Sequence, residues 1–394
     1  MCPFGRIFLV CIRYGQFLQP SWSANLEDCA LSFCRRVHQK GKREMKVSEE
    51  TSQKIKNMSV ICAMLVVTIH VGWPKDNICL TWFINELIAN DGIARIAVPF
   101  FFVVSGFFLS SHFDDERWWQ NETKKRIQSL VIPFFTWGLI SFFAFTPLSI
   151  IADVIAHRPF GTNLQLSDGR WMHTIGLDVN NTPGLTPLWY VRCLFFFVLL
   201  SPLFKFCVDK FKLWWIIFTF IVATAFSYIP VDTEDRPFWH GFFCYGLSLS
   251  GIFYFSIGIY IKRYNIAFSS TPLAYTSAVY GIGCVIAKSF AHAHGTTLPI
   301  GVDILVLPAL MYTIWHITPT KRLPSWFTSC SFSIFLLHCI FLDYARIALK
   351  HCPIGVQTSK LIACFIAIIA PIILTNLLHK LFPRITTFLF AGRS

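Results

Sequence analysis

Ten stretches of mostly apolar residues, each about 20 residues long, recur along the chain at 57–74, 93–111, 130–155, 186–206, 213–230, 242–261, 272–291, 298–316, 325–347 and 360–382. A segment of this kind crosses a bilayer as a helix, because backbone groups in lipid must be hydrogen-bonded within the segment itself. The strands of a membrane barrel are shorter and alternate strictly, and these runs do neither. Composition agrees: 54% of residues are hydrophobic and only 14% charged, against roughly 25% charged in a soluble domain. Neither a disordered chain nor one or two soluble cores could accommodate that much apolar surface. The expected fold is therefore an all-α integral membrane bundle of about ten transmembrane helices, with the lipid bilayer as its solvent.

The net charge of +13 does not point to nucleic acid in such a chain, since Lys and Arg in excess belong to cytoplasmic loops. Basic residues do cluster in alternate loops. Lys54 and Lys56 precede the first run, and Arg117, Lys124, Lys125 and Arg126 follow the second. Lys205, Lys210 and Lys212 follow the fourth, Lys262 and Arg263 the sixth, and Lys321 and Arg322 the eighth. The intervening loops carry Asp76, Glu86 and Asp91, or Asp232, Glu234 and Asp235, or no Lys or Arg at all, as in His292-Ala293-His294-Gly295. An even number of spans and this alternation both predict cytoplasmic termini. The 14 cysteines lack CxxC spacing and sit mostly in apolar runs, where Cys acts as a small hydrophobe. Residues 1–53 read as a cytoplasmic extension without a signal-peptide plan, residues 54–385 as the transmembrane domain, and 386–394 as a cytoplasmic tail.

Ionisable side chains inside spans cost about 2.5–3.5 kcal/mol on insertion scales and usually face a cavity or a partner. Four stand out. His70 lies near the outer end of the first span, where an imidazole could serve as a general base. Arg95 opens the second span, and Pro99 frees its carbonyl from a helical partner. Arg192 opens the fourth, three residues after Trp189 and so on the same face. His338 lies inside the ninth, two turns after Ser331. Each has a bland reading: an interfacial histidine, two snorkelling arginines and a packing hydrogen bond. With the expected topology, however, all four fall in the outer half of the bilayer, and four unrelated residues would have no reason to agree in depth. On the opposite face, Lys124-Lys125-Arg126 could bind phosphates or simply fix topology. No metal site is expected, since His292-Ala293-His294 lacks further ligands. Walker A, GxGxxG and GxSxG patterns are missing as well.

Several pieces, taken in order, resemble the membrane acyltransferase-3 family. These are Ala63–His70, Arg95–Phe107, Lys125-Arg126-Ile127 with Leu130–Pro133, Leu188-Trp189-Tyr190-Val191-Arg192 and Phe332–His338. The resemblance covers roughly residues 54 to 385. Many family members carry an Arg eleven residues before the first-helix histidine. Here that position is Ser59, and Lys56 is the basic residue on the same helical face.

The resemblance implies an O-acyltransferase of the cytoplasmic membrane. The donor would be cytoplasmic acyl-CoA, with acetyl-CoA the default because acetyl is small, and no cofactor would be bound permanently. His70 and Arg95 would be catalytic. Trp189, Arg192 and His338 would line the substrate site, and Lys56, Lys125 and Arg126 the acyl-CoA site. The acceptor would be a carbohydrate or lipid-linked sugar. The alternative from the residues alone is a transporter or flippase, in which intramembrane His and Arg line a solute path.

Overall fold

The computed structural model describes residues 47–73, 88–89, 92–155, 157–158, 172–173, 175–229, 237–294, 296, 305–350 and 352–390. Most of the expected N-terminal extension lies outside these residues, as do Asp76, Glu86, Asp91, Asp232, Glu234 and Asp235.

The described residues form helices and no strands. Helix α1 is Glu49–His70, and the expected boundary at residue 53 falls inside it. Its start is set by chemistry: the Ser48 side chain accepts from the Thr51 N–H at 3.1 Å, and Glu49 and Glu50 occupy the first turn, where acidic groups suit the helix dipole. It ends before Gly72, whose φ of +62° is a left-handed conformation that glycine takes without strain.

A 3₁₀ turn, Ile93–Ile96, leads into α2, Ala97–Ser110. Helix α3, Trp118–Arg126, runs through a π-helical turn at Ile127–Val131 into α4, Ile132–Ile155. The third apolar run thus begins as helix well before residue 130. Next come α5 (Leu188–Leu199), α6 (Ser201–Phe211), α7 (Leu213–Ser227) and α8 (Leu249–Arg263). The chain closes with α9 (Thr271–Ala293), α10 (Val306–Ile317), α11 (Ser331–Leu349), α12 (Val356–Leu381) and α13 (Pro383–Leu389).

Six helical segments among the described residues are long and apolar enough to cross a membrane, or seven if α5 and α6 make one span. The fourth run is not the straight span expected, because α5 and α6 meet at 65°. Pro202 stands one residue after the break, and its ring and missing N–H prevent α5 from continuing. Helices α7 and α10 are apolar but shorter, so the count of ten spans remains an expectation.

Helices α2 and α8 approach most closely at two glycines. A Cβ on Gly106 would lie 2.1 Å from the Phe255 carbonyl oxygen, and one on Gly258 would lie 1.9 Å from that of Val103. Such contact is how small residues join membrane helices. Gly106→Ala is therefore expected to force α2 and α8 apart, at a cost of about 1–3 kcal/mol. A lowered melting temperature in detergent would show this; unchanged melting would mean the pair separates freely. The chain end packs as well: Trp137 Nε1 donates to the Leu389 carbonyl at 2.8 Å, and Phe390 is buried.

Candidate active site

The end of α1 and the middle of α11 bring the two histidines together. The His70 and His338 rings lie 5.1 Å apart, centroid to centroid, and are inclined at 40°. His338 is fully buried. Its Nδ1 is 3.2 Å from the Ile334 carbonyl, which can only accept, so the proton is assigned to Nδ1. Cys339 Sγ lies 3.3 Å from Nε2. His70 is half-buried. Its own carbonyl accepts from Arg346 of α11, and that of Val71 accepts from Lys360 of α12 at 3.3 Å. Trp73 Nε1 donates to the Thr68 carbonyl at 2.9 Å. The turn bearing His70 is thus tied to α11 and α12 through its backbone, so these ties do not engage the imidazole.

Arg95 is exposed on the 3₁₀ turn, within electrostatic reach of His70, as is Arg346. Of the four residues expected at one depth, the structure brings the His70 and His338 rings together, and Arg346, Asp343 and Lys360 lie at the same end of the bundle. Arg346 Nη1 is 2.8 Å from Asp343 Oδ1. Arg346 follows His338 by eight residues, about two turns, so its shared face was readable from spacing; Lys360 gave no such signal. The ligand atoms of His70, His338 and Cys339 lie within 4.8 Å of one another, but two nearby guanidinium groups disfavour a dication there.

Arg192 is placed differently. It is buried, and its donors go to backbone carbonyls: Nη1 to Gly176 (2.8 Å) and Asp178 (2.7 Å), Nη2 to Asn181 (2.8 Å) and Tyr245 (3.1 Å). Its planar fork ties the 176–181 loop to the π-helical turn Phe242–Gly246, which precedes α8. Trp189 packs against Phe102 and Tyr245, with centroids 6.2 Å away in each case.

At the other end of the bundle lies a cavity of about 740 Å³. Lys56, Lys125, Arg126 and His112 line it together with Ser59. Glu122 is buried behind this rim and pairs with Lys125 at 3.4 Å and Arg126 at 3.2 Å. Deeper walls come from Val104, Leu130, Leu194 and Phe255. Three further lining rings touch one another. Phe335 is 5.5 Å from both Phe101 and Tyr190, and those two are 6.1 Å apart. The Tyr190 hydroxyl is 3.1 Å from Ser105 Oγ. Phe335 is also 6.5 Å from the His338 ring, so this ring separates the cavity from the histidine pair, with Phe101 and Tyr190 packed against it. Tyr190, which the sequence did not single out, lines this cavity, and its neighbour Trp189, expected on the acceptor side, points elsewhere because one residue along a helix turns the side chain by about 100°.

Comparison with known proteins bears on this arrangement. Residues 54–377 match the acyltransferase domain of the acyltransferase-3 family. The succinoglycan biosynthesis protein ExoH of Rhizobium meliloti is 24% identical over 377 residues, covering 87% of this chain and 93% of that protein. A serine/alanine racemase of Enterococcus gallinarum is 24% identical over 306 residues, which is 72% of this chain and 40% of the racemase. No solved structure matches the chain.

Proposed function

The chain belongs to the acyltransferase-3 family, and on that premise we propose that this multi-pass membrane protein moves an acyl group from acyl-CoA to a hydroxyl of a sugar or polysaccharide precursor. The succinoglycan relative supports a glycan acceptor, and acetyl is the simplest acyl group. The observation that carries this reading is the cavity itself. It has a basic rim of Lys56, Lys125 and Arg126, apolar walls, and an inner end one ring away from His338. Basic side chains suit the phosphates of CoA, and apolar walls suit its pantetheine arm and acyl group.

Lys125 and Arg126 belong to one of the basic loops that the charge alternation puts in the cytoplasm. We take that end as the donor side of the cell membrane, with both termini on the same side and ten spans in all. Residues 54–385 would form the catalytic domain, flanked by a dispensable extension and a short tail. His70 would take the proton of the acceptor hydroxyl. The hydroxyl oxygen would attack the thioester carbonyl, and Arg95 would stabilise the resulting oxyanion. As the C–S bond breaks, the CoA sulfur would leave with the proton held by His70. His338 would contact the substrate from the buried side. Arg192 and Trp189 would shape the acceptor side through the loop that Arg192 holds.

Membranes containing the protein should transfer label from radiolabelled acetyl-CoA to endogenous glycan. Lys125→Ala/Arg126→Ala should raise KM for acetyl-CoA about tenfold or more, the loss of one or two charge-assisted bonds, with little change in kcat. The absence of transfer, combined with solute uptake by vesicles, would replace this reading with a transporter.

A further inference from the structure

Beyond the donor cavity and the histidines, the His70 end of the bundle carries a second arrangement of charge. Gly72 is exposed and has a φ of +62°. The point where a Cβ of this residue would stand lies 3.6 Å from Arg346 Nη2 and 3.9 Å from Lys360 Nζ. A guanidinium from α11 and an ammonium from α12 thus converge on one point above bare backbone.

Capping accounts for only part of this. The carbonyls of His70 and Val71 at the end of α1 take one N–H from each cation, as helix C-termini favour. An ammonium has three N–H groups and each terminal guanidinium nitrogen has two, so each cation has an N–H beyond the one its carbonyl accepts. Two like charges repel at such a distance, and a capping role does not require them to converge over a glycine. Together they match the oxygens of a carboxylate or phosphate. Asp343 holds the far side of the Arg346 guanidinium, through Nη1, and so orients Nη2 toward the glycine.

We propose that Arg346, Lys360 and the Gly72 backbone form an anion subsite that seats a carboxylate or phosphate of the acceptor, making the acceptor an acidic or phosphorylated glycan. This rests on the acyltransferase reading above. Gly72 is two residues beyond His70, at most about 7.6 Å along the backbone. An anion seated there brings hydroxyls of the same or the adjoining sugar to the imidazole.

The test uses the full-length protein in detergent at constant ionic strength, with inorganic phosphate, glucuronate and glucose as probes of thermal unfolding. At least one anion should raise the melting temperature, and glucose should not. A response to glucuronate alone identifies an acidic sugar; a response to phosphate identifies a phosphorylated carrier or sugar. Lys360→Gln should weaken the apparent anion affinity about tenfold, as expected for one charge-assisted bond. Lys360→Arg should preserve it, and so should Lys125→Ala/Arg126→Ala, which separates this subsite from the donor cavity. No anion response in the wild type, or an unchanged response in Lys360→Gln, overturns the proposal. Acyl transfer measured on the same preparation keeps the two readings apart. Transfer without a Lys360-dependent response overturns the subsite alone, whereas a Lys360-dependent response without transfer overturns the enzymatic reading and leaves an anion site.

Discussion

His70→Ala is expected to lower acyl transfer by about 10²–10⁴-fold, the usual contribution of a general base, while the protein still accumulates in membranes. The ties at the end of α1 run through the carbonyls of Thr68, His70 and Val71, so removing the imidazole leaves them in place. His70→Gln should fail equally, since an amide can hydrogen-bond but cannot take the proton. His338 provides the contrast. Its Nδ1–H donates to Ile334, and a glutamine amide can do the same. If His338 only positions substrate and packing, His338→Gln retains most activity; a loss as deep as that of His70→Gln would give the buried ring a part in proton transfer. Radiolabel incorporation per unit of membrane protein measures all three variants. Near-normal turnover in His70→Ala would sink the mechanism.

Arg192→Ala should be the most damaging single change to stability, at about 3 kcal/mol or more. Hydrogen bonds to a charged donor contribute about 1.5–3 kcal/mol each, and acceptors left buried without one add a penalty. Four carbonyls lose the guanidinium at once, and those of Asp178 and Tyr245 keep only the weaker Asn181 N–H and Cys193 S–H. Arg192→Lys keeps the charge but not the fork, and a single ammonium cannot serve both the 176–181 loop and Tyr245, so it should recover less than half of the loss. Thermal unfolding in detergent reads the effect, and proteolysis should become faster near residues 176–181. Wild-type melting combined with a raised acceptor KM would instead make Arg192 a direct substrate ligand.

The large features of the fold and the site are readable in the sequence because they depend on local pattern. Apolar run lengths announce helices, and the expected direction of each span puts His70 and His338 at one level, where the structure brings their rings together. Lys56 belongs to α1 and Lys125 and Arg126 to α3, yet their common position at one end is visible in the alternation of loop charge. What escapes depends on direction and on distant backbone. An arginine at the start of a span looks like a snorkelling cation until the fold delivers carbonyls from residues 176–181 and 245 to it. Trp189 and Tyr190 are equally aromatic neighbours, and only helix rotation decides which one lines the cavity. The bend between α5 and α6 is hidden because hydropathy averages over Pro202. Lys360 looks like a flanking charge, since nothing local links it to the end of α1.

The aromatic partition of Phe101, Tyr190 and Phe335 has an electrical consequence. A cell maintains ion and proton gradients across its membrane, and an enzyme hollowed from one face, with a half-buried titratable group near the other, risks draining them. Three touching rings beside a fully buried imidazole leave a hydrated ion little polar surface to follow beyond the Tyr190–Ser105 hydroxyl pair, and apolar constrictions disfavour water as well as charge. On the acyltransferase reading proposed above, a thin acyl thioester would slip past side chains that rotate, whereas a hydrated proton or sodium ion would have to shed its water first. The partition would then let chemistry reach the histidines while the membrane stays insulated.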